Sequence, residues 1–152
     1  MSLVIRRAEP SDGEKVQRFV FEITRSYGLE PDPEGIDSDV MNYGEANDCS
    51  VQQWVAEVSK VVVGSIALIG GENNVAHLAT FFVDLRFQGQ GIGRALLEHA
   101  VTVAQSEGYV QVELETRKNY KKAIHLYESM GWVRVYSLPN SNGMDMTYSL
   151  SL

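Results

Sequence analysis

"RFQGQGIGRALLEHA", residues 86–100, places three glycines, Gly89, Gly91 and Gly93, within five positions and then runs straight into a periodic apolar pattern. Glycine loses more backbone freedom on folding than any other residue, so a cluster of this kind needs a physical reason. Either the turn adopts dihedrals that other residues avoid, or something approaches the backbone closely. Ile92, Ala95, Leu96, Ala100, Val103 and Ala104 fall on one face of a helix predicted over 92–106, closed by Gly108. Upstream, "VAHLATFFV" (75–83) is apolar on both faces, which predicts a central strand. A buried strand entering a glycine loop and a helix leaving it gathers free N–H groups and the positive helix end at one point, where an anion can sit.

Three phosphate-binding patterns compete for this loop. The nucleotide P-loop, GxxxxGK[ST], is absent, because Gly93 is followed by Arg94-Ala95. The dinucleotide pattern GxGxxG fails, because counting from Gly89 puts Arg94 in its third glycine position. QxxGxG is met by Gln88, Gly91 and Gly93. A strand-to-helix turn without a ligand is the alternative.

Working outward, "LVIRR" (3–7) reads as a short strand. Ser11, with Glu14 three residues on, has the form of a capping box for a helix whose stripe is Val16, Phe19, Val20 and Ile23, ending at Gly28. Residues 50–58 and 61–69 read as a hairpin turning at Ser59-Lys60. "YVQVELET" (109–116) alternates like a strand. "KNYKKAIHLYESMG" (118–131) is a helix that buries Ala123, Leu126, Tyr127 and Met130. "WVRVYSL" (132–138) and "MDMTYSL" (144–150) form a terminal antiparallel pair around "PNSNG". The expected fold is α+β: a mixed, largely antiparallel central sheet of about six or seven strands flanked by about four helices, the fourth a short one near 37–43. Residues 1–152 read as one domain.

The composition is ordinary for a globular chain, with 44% hydrophobic and 22% charged residues. The net charge of −7 and the scattered Lys and Arg give no basic stripe, so nucleic acid is not an expected partner. No apolar run reaches a membrane span. "MSLVIRRAEP" lacks the order of a signal peptide, and the one cysteine, Cys49, has no internal partner. These features point to a cytoplasmic protein. The acids are not scattered: between Ser26 and Ser59 there are eight and no Lys or Arg. Such a segment is either a solvated loop or a negative rim that attracts a cationic partner.

"VDLRFQGQGIGRALLEHA" (83–100) resembles the acetyl-CoA loop of the GNAT superfamily of N-acetyltransferases, and "AIHLYESMGWVRV" (123–135) resembles its second signature, a helix with A-x-x-x-Y-E-x-x-G-F leading into a strand. The resemblance covers residues 3–150 by element order and is most specific over 77–134. It implies transfer of an acetyl group from acetyl-CoA to a primary amine by direct attack in a ternary complex. Gln88, Gly89, Gln90, Gly91, Ile92, Gly93 and Arg94 would hold the pyrophosphate, mainly by main chain. Phe81, Phe82 and Val83 would run beside the pantetheine arm. Tyr127, four residues after Ala123 and four before Gly131, matches the family tyrosine that protonates the departing thiolate. His77 lies eleven residues before Gln88, where some members carry their base; a water chain is the alternative. His99 and His125 match no catalytic position. Asn119 departs from the family's N-x-x-A by one residue, with Tyr120 in the matching place, so its cofactor contact requires a shifted helix start. No metal is implied. The family's habit of dimerising implies a homodimer in which the terminal strands pair with a second chain. The acidic segment lies where the family builds the acceptor side of its cleft, which would suit a cationic amine. The alternatives are a CoA-binding module without turnover and a protein-binding domain, the latter leaving the QxxGxG loop unexplained.

Overall fold

The computed structural model describes residues 2–35, 37–136, 144 and 146–152. Among them the chain runs β1 (Leu3–Arg7), α1 (Gly13–Ser26), β2 (Val51–Val58), β3 (Val61–Gly70), β4 (Val75–Val83), α2 (Ile92–Ser106), β5 (Gln111–Thr116), α3 (Lys121–Ser129), β6 (Val133–Val135) and β7 (Met146–Ser151). The strands form one sheet in the order β1-β2-β3-β4-β5-β7-β6. Every neighbouring pair is antiparallel except β4–β5, which is parallel. This is the expected α+β architecture, with β4 in the middle. The expected turn around "PNSNG" lies outside the described residues.

Two expectations need adjusting. The short helix near 37–43 is a single 3-10 turn, Ser38–Val40. A segment this short gains too few i→i−4 hydrogen bonds to offset helix nucleation. It is held instead by burial of Val40 and Tyr43, whose hydroxyl reaches the Trp54 and Ile66 carbonyls at 2.7 and 2.8 Å. The first helix is not capped by Ser11 with Glu14. A 3-10 turn, Pro10–Asp12, precedes α1, and its box joins Glu9 to Asp12. Pro10 presets the turn, and the Asp12 carboxylate accepts from the Glu9 N–H at 2.7 Å and from both Arg6 terminal nitrogens at 2.8 Å.

Each face of the sheet carries its own apolar core. On one, Val16, Phe19, Val20 and Ile23 of α1 pack with Val55, Val62 and Ala67. On the other, Ile92, Leu96, Leu97, Ala100 and Ala104 of α2, with Tyr127 of α3, pack with Ile66, Leu68, Ala76, Leu78 and Leu114. Burying one such side chain is worth about 1.5–3 kcal/mol, so the helical stripes legible in the sequence supply most of the adhesion. The Ser59-Lys60 turn joins β2 to β3 with φ of 50° and 65°, the two left-handed residues of a tight hairpin.

One irregularity in β4 changes which residues reach each face. Ser65 pairs with Phe82 and Ala67 with Ala79, so two steps on β3 face three on β4. The extra residue is Thr80, at φ 50°. A β-bulge of this kind reverses the alternation beyond it. Before it, Leu78 faces α2 and Ala79 faces α1; after it, Phe81 and Val83 face α2 while Phe82 faces α1.

Candidate active site

Just before the bulge, β4 loses a neighbour. It pairs with β5 only from Val75–Gln111 to Leu78–Leu114. β4 then continues to Val83, and β5 to Thr116 beside β7. The strands part, and the opening between them leads into a cavity of about 980 Å³. The backbone of 79–83 that faced β5 has no strand to pair with, which leaves an edge able to bind an extended amide chain.

The glycine loop closes one side of this cavity. Gln88 turns back and donates its amide to the Val83 carbonyl at 3.0 Å, fastening the loop to the strand. Gly89 and Gly91 have φ of 79° and 84°, the left-handed region that L side chains avoid, and a Cβ on either would meet nothing within 4 Å. Gly93 has another task. A Cβ there would come within 3.3 Å of Leu126 and 3.4 Å of Phe81, so its hydrogen lets α2 settle against β4 and α3. Gly91 occupies the N-cap of α2 without a side-chain cap, and the first backbone bond of the helix runs from Ala95 N–H to the Gly91 carbonyl. Among the described residues, the N–H groups of 92–94 have no backbone acceptor. They lie at the positive end of a 15-residue helix, and Arg94 adds a cation to the same wall.

Tyr127 stands on the opposite wall, 4% exposed, its ring 6.0 Å from Phe81, 6.0 Å from Trp132 and 5.8 Å from Tyr148. Burial pushes its phenol well above the ordinary tyrosine value, so it stays protonated through neutral pH. Among the described residues, its hydroxyl has no hydrogen-bond partner. Among the described residues the fully buried side-chain atoms without a partner are His99 Nε2 and Trp132 Nε1 and not this hydroxyl, which opens to the cavity.

His77 also lines the cavity, but from further back along β4. It is exposed, opposite Ile69 on one side and Glu113 on the other. The alternation of β4 puts it on the α1 face, whereas Tyr127 packs on the α2 face. Both groups border the one cavity.

Of the residues singled out from the sequence, His77, Phe81, Phe82, Val83, Gln88, Gly89, Gly91, Ile92, Gly93, Arg94 and Tyr127 line this cavity. Gln90 and Asn119 are exposed and do not. At the start of α3 it is Tyr120, the N-cap residue, that reaches the cavity. His125 lines it too, while His99 is set edge-on to Trp54 at 4.9 Å.

Sequence reasoning missed Thr80, Lys121 and Lys122, noted Tyr120 in the family's matching position without giving it a contact, and named Asp37 and Asp39 only as members of an acidic run. Lys121 and Lys122 left a signal. Two cations in the first turn oppose the helix dipole, an arrangement that favours a nearby anion. Thr80 left none, because the bulge exists only once β3 and β4 are paired.

The cavity thus offers free N–H groups at a helix end, an unpaired strand edge and a tyrosine hydroxyl. Residues 18–132 match the Acetyltransferase (GNAT) family. The uncharacterized N-acetyltransferase YjgM of Escherichia coli (strain K12) is 28% identical over 152 aligned residues, 95% of this chain and 90% of that one. A GNAT-family acetyltransferase of Staphylococcus aureus Mu50 superposes with a TM-score of 0.86 at 22% identity, covering 99% of each chain. The PaiA N-acetyltransferase of Thermoplasma acidophilum, solved in complex with coenzyme A, superposes with a TM-score of 0.80 at 17% identity over the whole of both chains. The chain belongs to the GNAT acetyltransferase family.

Proposed function

We propose that this GNAT acetyltransferase transfers the acetyl group of acetyl-CoA to a primary amine, with both substrates bound together in the cavity between β4 and β5. The observation that carries this reading is the pairing of two features on one cavity: N–H groups at the α2 N-terminus without a backbone acceptor among the described residues, and the Tyr127 side chain on the facing wall. A solved neighbour of the same fold, the PaiA N-acetyltransferase, holds coenzyme A, which supports the choice of cofactor.

Acetyl-CoA supplies an activated acetyl thioester. The residues present fit its parts. The N–H groups from Gly89 to Arg94 would hold the pyrophosphate, with Gly89 and Gly91 keeping side chains out of its way. The open edge at Phe81, Phe82 and Val83 would pair with the pantetheine amides. The cationic side chains of Arg94, Lys121 and Lys122 would attract the remaining phosphate charge. Gln90 and Asn119 would act only from the rim.

The chain's own groups then divide the proton transfers. An alkyl ammonium must lose a proton before its nitrogen can react. His77 would take that proton directly or through water reaching the α1 face. A thiolate leaving group, with a free pKa of ~8.5, is stabilised by a nearby donor. The Tyr127 hydroxyl, still protonated and without another partner, would hold that proton on the α2 face. Access from opposite faces suits a reaction in which the two substrates never exchange places.

The acceptor enters from the side of the acidic segment, and a cationic amine fits it. We place the activity in the cytoplasm, where the exposed Cys49 stays a thiol. We read the sheet edge at β6, where Val133 is 66% exposed, as the place where a second chain would pair. Among the described residues no helix is long and apolar enough to cross a membrane.

The test is a thermal shift with acetyl-CoA, followed by a thiol-release screen across amines at two pH values. A ligand that binds only the native state raises apparent stability. A shift with thiol release supports the transferase reading. A shift without release from any amine reduces the protein to a CoA-binding module. No shift in folded protein removes both.

A further inference from the structure

We infer that the acceptor is a primary amine joined by a short stem to a flat aromatic ring, and that Tyr27, Phe82 and Tyr120 receive the ring. This rests on the transferase reading above and names the class of its second substrate.

The observations begin at the bulge. Thr80 is β-branched and sits at φ 50°, a conformation that persists only where neighbours impose it. Two hydrogen bonds do so. Ser65 Oγ donates to the Thr80 carbonyl at 2.7 Å, and Thr80 Oγ1 donates to Asp39 Oδ2 at 3.1 Å. In a regular strand the Phe82 ring would face α2. The bulge turns it to the α1 face, where it and Tyr27 rest against the core beneath α1.

Three rings from distant segments then meet. Tyr27 is the C-cap of α1, Phe82 lies at the end of β4, and Tyr120 is the N-cap of α3. The Tyr27 and Tyr120 centroids are 4.8 Å apart, tilted by 53°, and Phe82 stands edge-on to Tyr120 at 6.4 Å. All three are half-buried, and all three border the cavity. Ile23, one turn before Tyr27, and Val40 continue this apolar lining. Hydrogen bonds fix the Tyr120 ring in place. Thr24 Oγ1 gives its own proton to the Val20 carbonyl at 2.9 Å, so it accepts from the Tyr120 hydroxyl, to which Arg117 donates in turn.

The position of the rings decides which substrate meets them. Phe81 and Val83 direct their side chains to the α2 face, where Tyr127 would serve the coenzyme sulfur. The Phe82 ring lies on the opposite face with His77, from which the amine would lose its proton. A ligand seated on the rings is therefore the acceptor and not the coenzyme. Aromatic groups pair edge-to-face or offset with centroids about 4.5–7 Å apart. Tyr27, Phe82 and Tyr120 already stand in that geometry around one corner of the cavity, and a further ring completes the cluster. A thin alkyl chain leaves the same faces partly in water. The nearby carboxylates are already engaged, Asp39 by Thr80 and Asp37 Oδ2 by the Asp32 N–H at 2.8 Å, so they attract an ammonium without defining where it comes to rest. Phe82 carries both a ring of this wall and part of the backbone edge beside the pantetheine, so the stem between the acceptor's ring and its nitrogen is short. In the step itself, a C–N bond forms and the thioester C–S bond breaks. The neutral amine loses one proton, the sulfur takes one, and the coenzyme thiol is released.

The experiment compares 2-phenylethylamine with 2-cyclohexylethylamine, which has the same stem and similar bulk without a flat ring, and with 1-aminobutane. All three are assayed by thiol release with the wild-type chain, Tyr27→Leu and Tyr27→Phe, and acetyl-CoA affinity is measured by calorimetry for each protein. The expected wild-type kcat/KM for 2-phenylethylamine is about tenfold or more above that for 1-aminobutane, and about threefold or more above that for 2-cyclohexylethylamine. Tyr27→Leu removes a ring and keeps an apolar side chain; both preferences are expected to fall by about threefold, through KM, with acetyl-CoA affinity changed by less than about twofold. Tyr27→Phe keeps the ring and is expected to keep both preferences. Equal turnover of 2-phenylethylamine and either comparison amine by the wild type overturns the proposal, whether or not Tyr27→Leu folds. A folded Tyr27→Leu with unaltered preferences overturns it as well, as does acetyl-CoA binding with none of the amines acetylated. Failure of the wild type to bind acetyl-CoA is a different result, because it removes the transferase reading itself.

Discussion

The rings of Phe81 and Tyr127 lie 6.0 Å apart, tilted by 47°, and this contact joins the strand beyond the bulge to α3. Phe81 faces α3 only because Thr80 has reversed the alternation of β4. In a regular strand Thr80 and Phe82 would face α2, and Phe81 would point to the α1 face. The bulge and the seat of Tyr127 are thus parts of one arrangement.

Tyr127→Phe keeps these ring contacts and removes only the hydroxyl. That hydroxyl has no partner among the described residues, so its loss costs the fold little. The expected change in unfolding free energy is within about 1 kcal/mol of zero. The expected fall in kcat is about 100-fold or more, in the range of a lost general acid. Steady-state kinetics with a denaturation curve on the same sample checks both halves. An unchanged kcat would remove Tyr127 from the reaction.

Gly91→Val tests the loop. A Cβ at Gly91 has open space within 4 Å, so the cost to the fold is only that of a left-handed valine, about 1–2 kcal/mol. The same space is where a pyrophosphate would lie. Acetyl-CoA affinity, measured by calorimetry, is expected to fall more than tenfold while the circular dichroism spectrum is retained. Unaltered affinity would return the loop to a simple strand-to-helix turn.

Gly93→Ala should fail differently. Its new methyl would press on Leu126 and Phe81 at 3.3 and 3.4 Å, and both must give by a few tenths of an ångström. The expected cost is about 1–2 kcal/mol of stability, as for a modest overpacking. A urea titration showing no loss would mean that α2 and α3 relax apart freely.

Asp12 governs part of the acid limb of stability. Hydrogen bonds from Arg6, opposed by burial, hold its carboxyl below the usual aspartate value. A depressed folded pKa means that the unfolded state binds more protons as pH falls. The stabilisation is therefore complete above the unfolded value, ~3.9, and is lost as pH drops through the folded one. Asp12→Ala is expected to cost about 2 kcal/mol at pH 7, since the carboxylate is 6% exposed and accepts charge-assisted hydrogen bonds. It should also flatten the dependence of Tm on pH below pH 4. An equally steep acid limb in the variant would show that other carboxylates carry it.

Much of the cavity was legible because it rests on local chemistry. Gly89 and Gly91 are needed for left-handed dihedrals, and Tyr127 falls on a helix face that any reading of the stripe would bury. Asn119 was less so. Its place near the cavity depended on where α3 begins, and α3 starts at Lys121, leaving Tyr120 at the cap. His77 was assigned by spacing along a strand, yet which face it occupies depends on pairing with β3 and β5, which spacing does not contain.

By itself, the sequence determined the order of elements, the two apolar stripes that cover the sheet, and the glycine loop at the head of α2. These arise from periodicity and backbone preference, which act over a few residues. Only the tertiary structure decided that Thr80 bulges, that β4 and β5 part beyond Leu78 and Leu114, and that Asp39 is brought to the bulge from 41 residues away. Each of these is a contact between distant segments, set by how β3, β4 and β5 register against one another, and no local preference in the chain encodes it.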